Sequence, residues 1–358
     1  MSHYKIRPLA WAFTALLAGS LATQAWADRT VTDQLGRQVT LPDTVNRVVV
    51  LQHQSLDILV QLNANDKIVG VLSSWKKHLG PNFERFIPKI ATLPEPGDLT
   101  SVNIESLIAA KPDVVIVTNY APQDMIAKIE QAKIPVVAIS LREYVPGQAD
   151  KVNPSVKDEE QMYTVGLKQA VTLIGEVVNR SHEAKALNDW VFSHRAKVLA
   201  FKNQWKGAQT RTYVANPDLY TYGSGKFVGV MMNDVNANNV AASAIKGWKQ
   251  VSMEQVLTWN PQVIFVQNRF PQVIEAIKND PKFKPIDAMK NDHLYLMPEY
   301  VKAWGYPTPE AMGLGELWLG KKLYPSLYQH FDMDKLAQEY YQRFYRVSWK
   351  DSPKSAKE

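Results

Sequence analysis

Continuous apolar strands that alternate with helix-period segments, a 16-residue unit that recurs 149 positions later, and a helical stretch between the copies without a Gly/Ser-rich linker predict an α/β protein of two lobes. Each lobe is expected to be Rossmann-like, a parallel-type sheet covered by helices, with a long connecting helix between them. The expected organisation is a signal peptide at 1–27, an N-terminal lobe at 28–180, a connecting helix at 181–206, a C-terminal lobe at 207–350 and a charged tail at 351–358.

Taken in order, Met1 to Ala27 carries Lys5 and Arg7, an apolar run from Leu9 to Ala18, and Ala25-Trp26-Ala27 before Asp28. That is the pattern of a cleavable secretory signal, and it predicts export to a periplasm. The apolar run is short against the roughly 20 residues a membrane-spanning helix needs. Thr30 to Leu41 alternates polar and apolar residues on both sides of Gly36 and predicts a hairpin. Arg47 to Leu51 and Lys67 to Leu72 are near-continuous apolar strands, the pattern of a sheet covered on both faces. Between them Ser55 can cap a helix with Leu56, Leu59, Val60 and Leu62 on one side.

The repeat aligns Val102–Val117 with Val251–Val266 without a gap. Each copy has an N-cap candidate (Asn103, Ser252), a glutamate two residues later, an apolar stripe, a proline and a buried strand. A spacing of 149 is far beyond a solenoid period of about 20–50 residues, so the copies mark two lobes. Helical spacing runs from Glu159 to Val178 and, after a break at Asn179-Arg180-Ser181, on to Trp205. The second lobe starts near Thr210 and closes with the amphipathic Asp334 to Val347.

Composition removes whole classes of function. With 46% hydrophobic and 21% charged residues in 358, the chain is globular. Zero cysteines exclude a disulfide scaffold, thiolate metal sites, iron–sulfur clusters and cysteine nucleophiles. The net charge of +6 is scattered, so no nucleic-acid partner is expected. No G-x-S-x-G or H-E-x-x-H occurs, and His53, His78, His182, His194, His293 and His330 lack metal-ligand spacing. Hence no catalytic residue, metal site or cofactor is expected.

Parallel sheets bind ligands beyond the C-terminal ends of their strands. There the sequence places Gln52 and His53 after the first strand, Tyr120 after the first repeat strand, and Asn268 and Arg269 after the second. Arg142 follows another strand, Tyr222 and Lys226 flank a glycine-rich turn, and Tyr300 and Trp304 belong to an aromatic turn. These ten side chains combine aromatic faces with permanent cations, which suits an anionic or aromatic ligand. For His53 a helix-capping role competes with ligand binding.

The hairpin around Gly36, the strand Arg47–Leu51, the two glutamate-bearing repeat units, the strand Leu294–Met297 and the helix Pro309–Pro325 resemble the helical-hinge (class III) periplasmic binding proteins for iron chelates and vitamin B12, which serve ABC importers. The resemblance covers nearly all of the chain beyond residue 27. It implies a monomer that captures a metal-containing anionic ligand, of the iron-chelate or ferric-siderophore type, in a cleft between ligand-binding lobes. It also implies delivery to a permease dimer with a cytoplasmic ATPase. In that family the first-turn glutamates dock onto permease arginines, which implies this role for Glu105 and Glu254; complementing a helix dipole is the competing role. Asn216–Gly225 and Pro298–Pro307 look like a branch with molybdate- and tungstate-binding members, so oxyanion binding is the alternative. A periplasmic enzyme on the same scaffold is the second alternative.

Overall fold

The computed structural model describes Met1 and residues 28–357; the expected signal segment otherwise lies outside the described residues. Strands β1 (Asp28–Thr32) and β2 (Gln38–Pro42) form the antiparallel hairpin, turning through Gly36 at a positive φ of 78°. Asp33 pins it to the lobe: its carboxylate pairs with Arg37 and accepts the Ala138 N–H.

The first lobe continues with β3 (Val48–Val50), α1 (His53–Gln61), β4 (Ile68–Val71), α2 (Trp75–Leu79), the short β5 (Gly97–Asp98) and β6 (Ser101–Val102), α3 (Ile104–Ala110), β7 (Val114–Thr118), α4 (Gln123–Gln131) and β8 (Val136–Ile139). Its sheet has the order β4-β3-β7-β8, every pair parallel. Strands β3, β7 and β8 are buried at every position, which is why they read as unbroken apolar runs.

Helices α5 (Glu159–Val177) and α6 (Ser181–Gln204) pack against each other. The 24 residues of α6 span about 36 Å at 1.5 Å per residue, enough to run from one lobe to the other. The second lobe contains β9 (Thr210–Ala215), β10 (Tyr220–Tyr222), α7 (Phe227–Asp234), β11 (Ala237–Asn239), β12 (Trp248–Gln250), α8 (Met253–Trp259), β13 (Val263–Val266), α9 (Gln272–Asn279), α10 (Asp287–Lys290) and β14 (Leu294–Leu296). Its parallel sheet, β11-β9-β13-β14, repeats the strand order of the first. In chain order both sheets read 2-1-3-4.

The repeat holds to the level of helix caps. Helices α3 and α8 each have seven residues, and their N-cap side chains, Asn103 and Ser252, accept the N–H groups of Ser106 and Gln255. Both end on a left-handed residue, Lys111 and Asn260, before the buried strand.

The C-terminal segment, α11 (Glu316–Leu323), α12 (Met333–Tyr340) and the turn 341–345, crosses back. From within the expected second lobe it reaches the first: Tyr345 stacks on Phe86 at 4.2 Å, and Tyr340 and Tyr345 hydrogen-bond to Gln61 and Asp57 of α1. The tail is also held: the Glu299 N–H donates to the Ala356 carbonyl, and Ala356 is buried.

One close approach fixes the cleft wall. Gly166 of α5 lies against Arg142, whose backbone a Cβ there would meet at 2.0–2.4 Å. Gly166→Ala is therefore expected to cost about 1–3 kcal/mol in chemical denaturation. Gly229→Ala, in α7 with nothing within 4 Å, should be neutral or stabilising, and equal midpoints for both variants would refute the packing argument.

Candidate functional site

Between the lobes lies a cleft of about 600 Å³. The first lobe supplies His53 at the start of α1, His78 on α2, Leu99 from the β5–β6 turn and Tyr120 beyond β7. The second supplies Tyr220 and Tyr222 from β10, Trp248 from β12, Lys226 at the N-cap of α7, and Arg269 beyond β13. Trp304, Gly305 and Tyr306 complete it. Tyr120 and Arg269 occupy the same place in the two repeats, 149 positions apart, and so do Leu99 and Trp248.

Apart from Lys77, which is exposed on the lining, the cations at this cleft fall into two classes. Lys302 is buried between two carboxylates, Asp57 at 2.5 Å and Glu310. Burial, with Glu310 beside it, raises the Asp57 carboxyl well above the usual carboxylate range. Burial works against ionising Glu310 as well, but Lys302 and the hydrogen bond with Asp57 hold it below the usual carboxylate range. The Lys302 ammonium thus has two acids against it, and its charge is compensated.

Arg269 and Lys226 have no such partner. The Arg269 guanidinium donates to Gln267 Oε1 at 2.8 Å and to the His78 carbonyl at 3.4 Å, and it lies 5.0 Å from the Trp304 ring. Burial lowers its pKa, and no carboxylate offsets that. Lys226 donates to the Val152 carbonyl at 2.8 Å and sits 5.5 Å from the Tyr306 ring. Burial, with Arg142 nearby, pushes its ammonium down to about 8. Among the described residues the cleft lining holds one acid, Asp218, which is exposed.

His53 and His78 stack at 4.3 Å with planes 10° apart. Burial and the surrounding positive charge lower both, His78 to about 4, so both rings are neutral at pH 7. His53 Nδ1 is buried without a hydrogen-bond partner, a polar atom left for a ligand.

Of the residues expected from sequence, His53, Tyr120, Tyr222, Lys226, Arg269 and Trp304 line the cleft. Arg142 stands behind it, buried, 5.3 Å from the Tyr306 ring and donating to the carbonyls of Ala149 and Lys151. Three do not reach it. Gln52 is buried in the sheet, donating to the Ile139 carbonyl and accepting from Ser55. Asn268 lines a small adjoining pocket of about 20 Å³ that shares Arg269 and Trp304 with the cleft. Tyr300 is buried against Trp349, at 5.4 Å. Tyr220 and Tyr306 also line it, from the glycine-rich and aromatic turns that the sequence singled out, whereas Lys77, His78, Leu99, Trp248 and Phe270 lie outside every segment it pointed to.

The two histidines shift in the same direction, and the one acid on the lining, Asp218, is exposed. Among the described residues no group of three or more His, Asp or Glu side chains converges as a metal site, and no helix is long and apolar enough to cross a membrane.

The periplasmic binding protein profile matches residues 48–301. Over 338 residues the chain is 55% identical to the molybdate-binding protein MolA of Haemophilus influenzae, covering 94% of this chain and 96% of that one. The structure of that protein bound to molybdate superposes with a TM-score of 0.87 over 90% of this chain and 99% of the other, at 54% identity. A periplasmic solute-binding protein from Veillonella parvula shares the fold, with a TM-score of 0.71 over 91% of this chain and 95% of its own, at 22% identity. A two-lobed fold with matching sheets, a cleft between the lobes, and a family match over most of the length lead to one conclusion: the chain belongs to the periplasmic binding protein family.

Proposed function

We propose that the cleft binds a tetrahedral oxyanion of the molybdate or tungstate class, and that the protein delivers it to the permease dimer of an ABC importer. The observation that carries this reading is the pair of cations without carboxylates, Arg269 and Lys226, on a cleft whose lining holds one exposed acid. Two positive charges, Lys226 buried and Arg269 partly buried, are costly when left uncompensated, and a dianion supplies what they lack. The guanidinium, the ammonium and the unpartnered His53 ring give the N–H donors that an oxyanion needs. Likeness to a molybdate-binding relative over nearly the whole chain favours this alternative over the ferric-siderophore reading.

Docking is assigned to Glu105 and Glu254. Both are exposed in the first turn of capped helices at equivalent places, and neither forms an ion pair among the described residues. Helix-dipole complementarity accounts for each alone, at about 0.3–1 kcal/mol, but does not require the match between lobes.

Arg269→Ala should weaken molybdate binding in calorimetric titration about tenfold to a hundredfold, the cost of a charge-assisted hydrogen bond. Unchanged affinity would remove the oxyanion reading.

Affinity should also fall as pH rises. With its ammonium at about 8, free Lys226 is mostly neutral at pH 9, and a bound dianion holds the proton on. Molybdate should therefore bind roughly tenfold more weakly at pH 9 than at pH 7, as one proton must be taken up. Lys226→Met should bind weakly at both values, with little difference between them. A flat wild-type profile would contradict the assignment of Lys226.

For docking, the double variant Glu105→Ala, Glu254→Ala should keep wild-type molybdate affinity and lose uptake in vesicles carrying the importer. Wild-type uptake would end the docking assignment.

A further inference from the structure

Among the described residues other than Met1, five large hydrophobic side chains are exposed: Ile108, Tyr144, Val152, Trp248 and Leu257. Scattered single exposures are ordinary on a protein surface. Two of these five, however, are the same residue of the repeat: Ile108 and Leu257 are 149 positions apart, 51% and 38% exposed. Each lies three residues after a docking glutamate, on α3 or α8. Residues at i and i+3 are surface neighbours on a helix, so Glu105 with Ile108 and Glu254 with Leu257 form two like patches. The apolar core of each helix is met by other positions, Leu107 and Ala110 in α3 and Val256 in α8, so neither exposed side chain is needed for packing.

Topology places the two patches on the cleft side. A helix that leads into a parallel strand starts at the C-terminal edge of the sheet, where ligands bind. Helix α3 leads into β7 and α8 into β13, so the glutamates stand at the rim of the cleft, one on each lobe. The lip residues Leu99 and Trp248 each precede their glutamate by six positions.

We propose that Ile108 and Leu257 are apolar anchors of the docking face, so that each lobe offers the same two-part patch, a glutamate and an apolar side chain one turn on, to a permease dimer with two-fold symmetry. This inference rests on the docking role of Glu105 and Glu254. Two like patches on pseudo-equivalent lobes match a partner that presents one surface twice, as a two-fold dimer does. Each half of that partner then carries a cation for the glutamate beside an apolar socket. The two components contribute differently. The charge steers association and is screened by salt, whereas burial of the apolar side chain slows dissociation and is not.

The test measures binding of the molybdate-loaded protein to the importer reconstituted in nanodiscs, at low and high salt. Ile108→Ser and Leu257→Ser should each raise the dissociation rate about tenfold, with the salt dependence and the molybdate affinity unchanged. Glu105→Gln and Glu254→Gln should instead slow association and flatten its salt dependence. Wild-type dissociation by both serine variants, with weakened glutamine variants, would overturn the apolar anchors and leave docking standing. An effect confined to one lobe would overturn the symmetric arrangement. Wild-type binding by all four would remove the docking reading as well.

Discussion

The seam between the lobes depends on Lys302. Its ammonium lies between Asp57 of α1 and Glu310 ahead of α11, and Tyr345 and Gln61 add hydrogen bonds to the two acids. Helix α1 begins with His53, and the segment after Lys302 carries Trp304 and Tyr306. A buried ion pair adds little net stability, but removing one partner leaves an uncompensated charge. The triad is better understood as a registry device. It joins the segments that carry His53 and Trp304, whose rings meet edge-on at 5.7 Å.

That compensated lysine explains why the neighbouring cations matter. Lys302 is spoken for, whereas Arg269 and Lys226 are held by neutral acceptors: a side-chain amide and backbone carbonyls. Neutral acceptors orient a cation without discharging its field, so the cleft keeps a net positive potential in a partly dehydrated space. The stacked histidines stay uncharged there because burial, together with the charge of Arg269, disfavours their protonation.

Much of the fold is legible in the sequence because both sheets are covered on two faces and the repeat units share a fixed offset. Val48–Val50 or Val263–Val266 could hardly be anything but central strands. The cleft is partly legible for a related reason: strand ends locate Tyr120 and Arg269, and a polar residue straight after a buried strand is easy to notice. Direction is what sequence spacing lacks. Gln52 and His53 are adjacent, yet one serves the sheet and the other the cleft. Tyr300 and Trp304 share a turn, yet Tyr300 packs on Trp349, which the returning C-terminal segment brings to it. His78 and Trp248 sit on short elements, five and three residues long, with too few turns or alternations to mark them. The crossing of Met333–Tyr345 to α1 was hidden because an amphipathic pattern names a buried face and not what buries it.

The short path from Leu99 to Ile108, and from Trp248 to Leu257, has a mechanical consequence. In each lobe the lip of the cleft and the surface patch lie on one continuous segment, tied down by a side-chain N-cap and a left-handed C-cap. A displacement of the lip is carried to the patch with little slack. The gap across the cleft and the span between the patches therefore behave as the two ends of a pair of calipers, one end inside the molecule and the other on its surface.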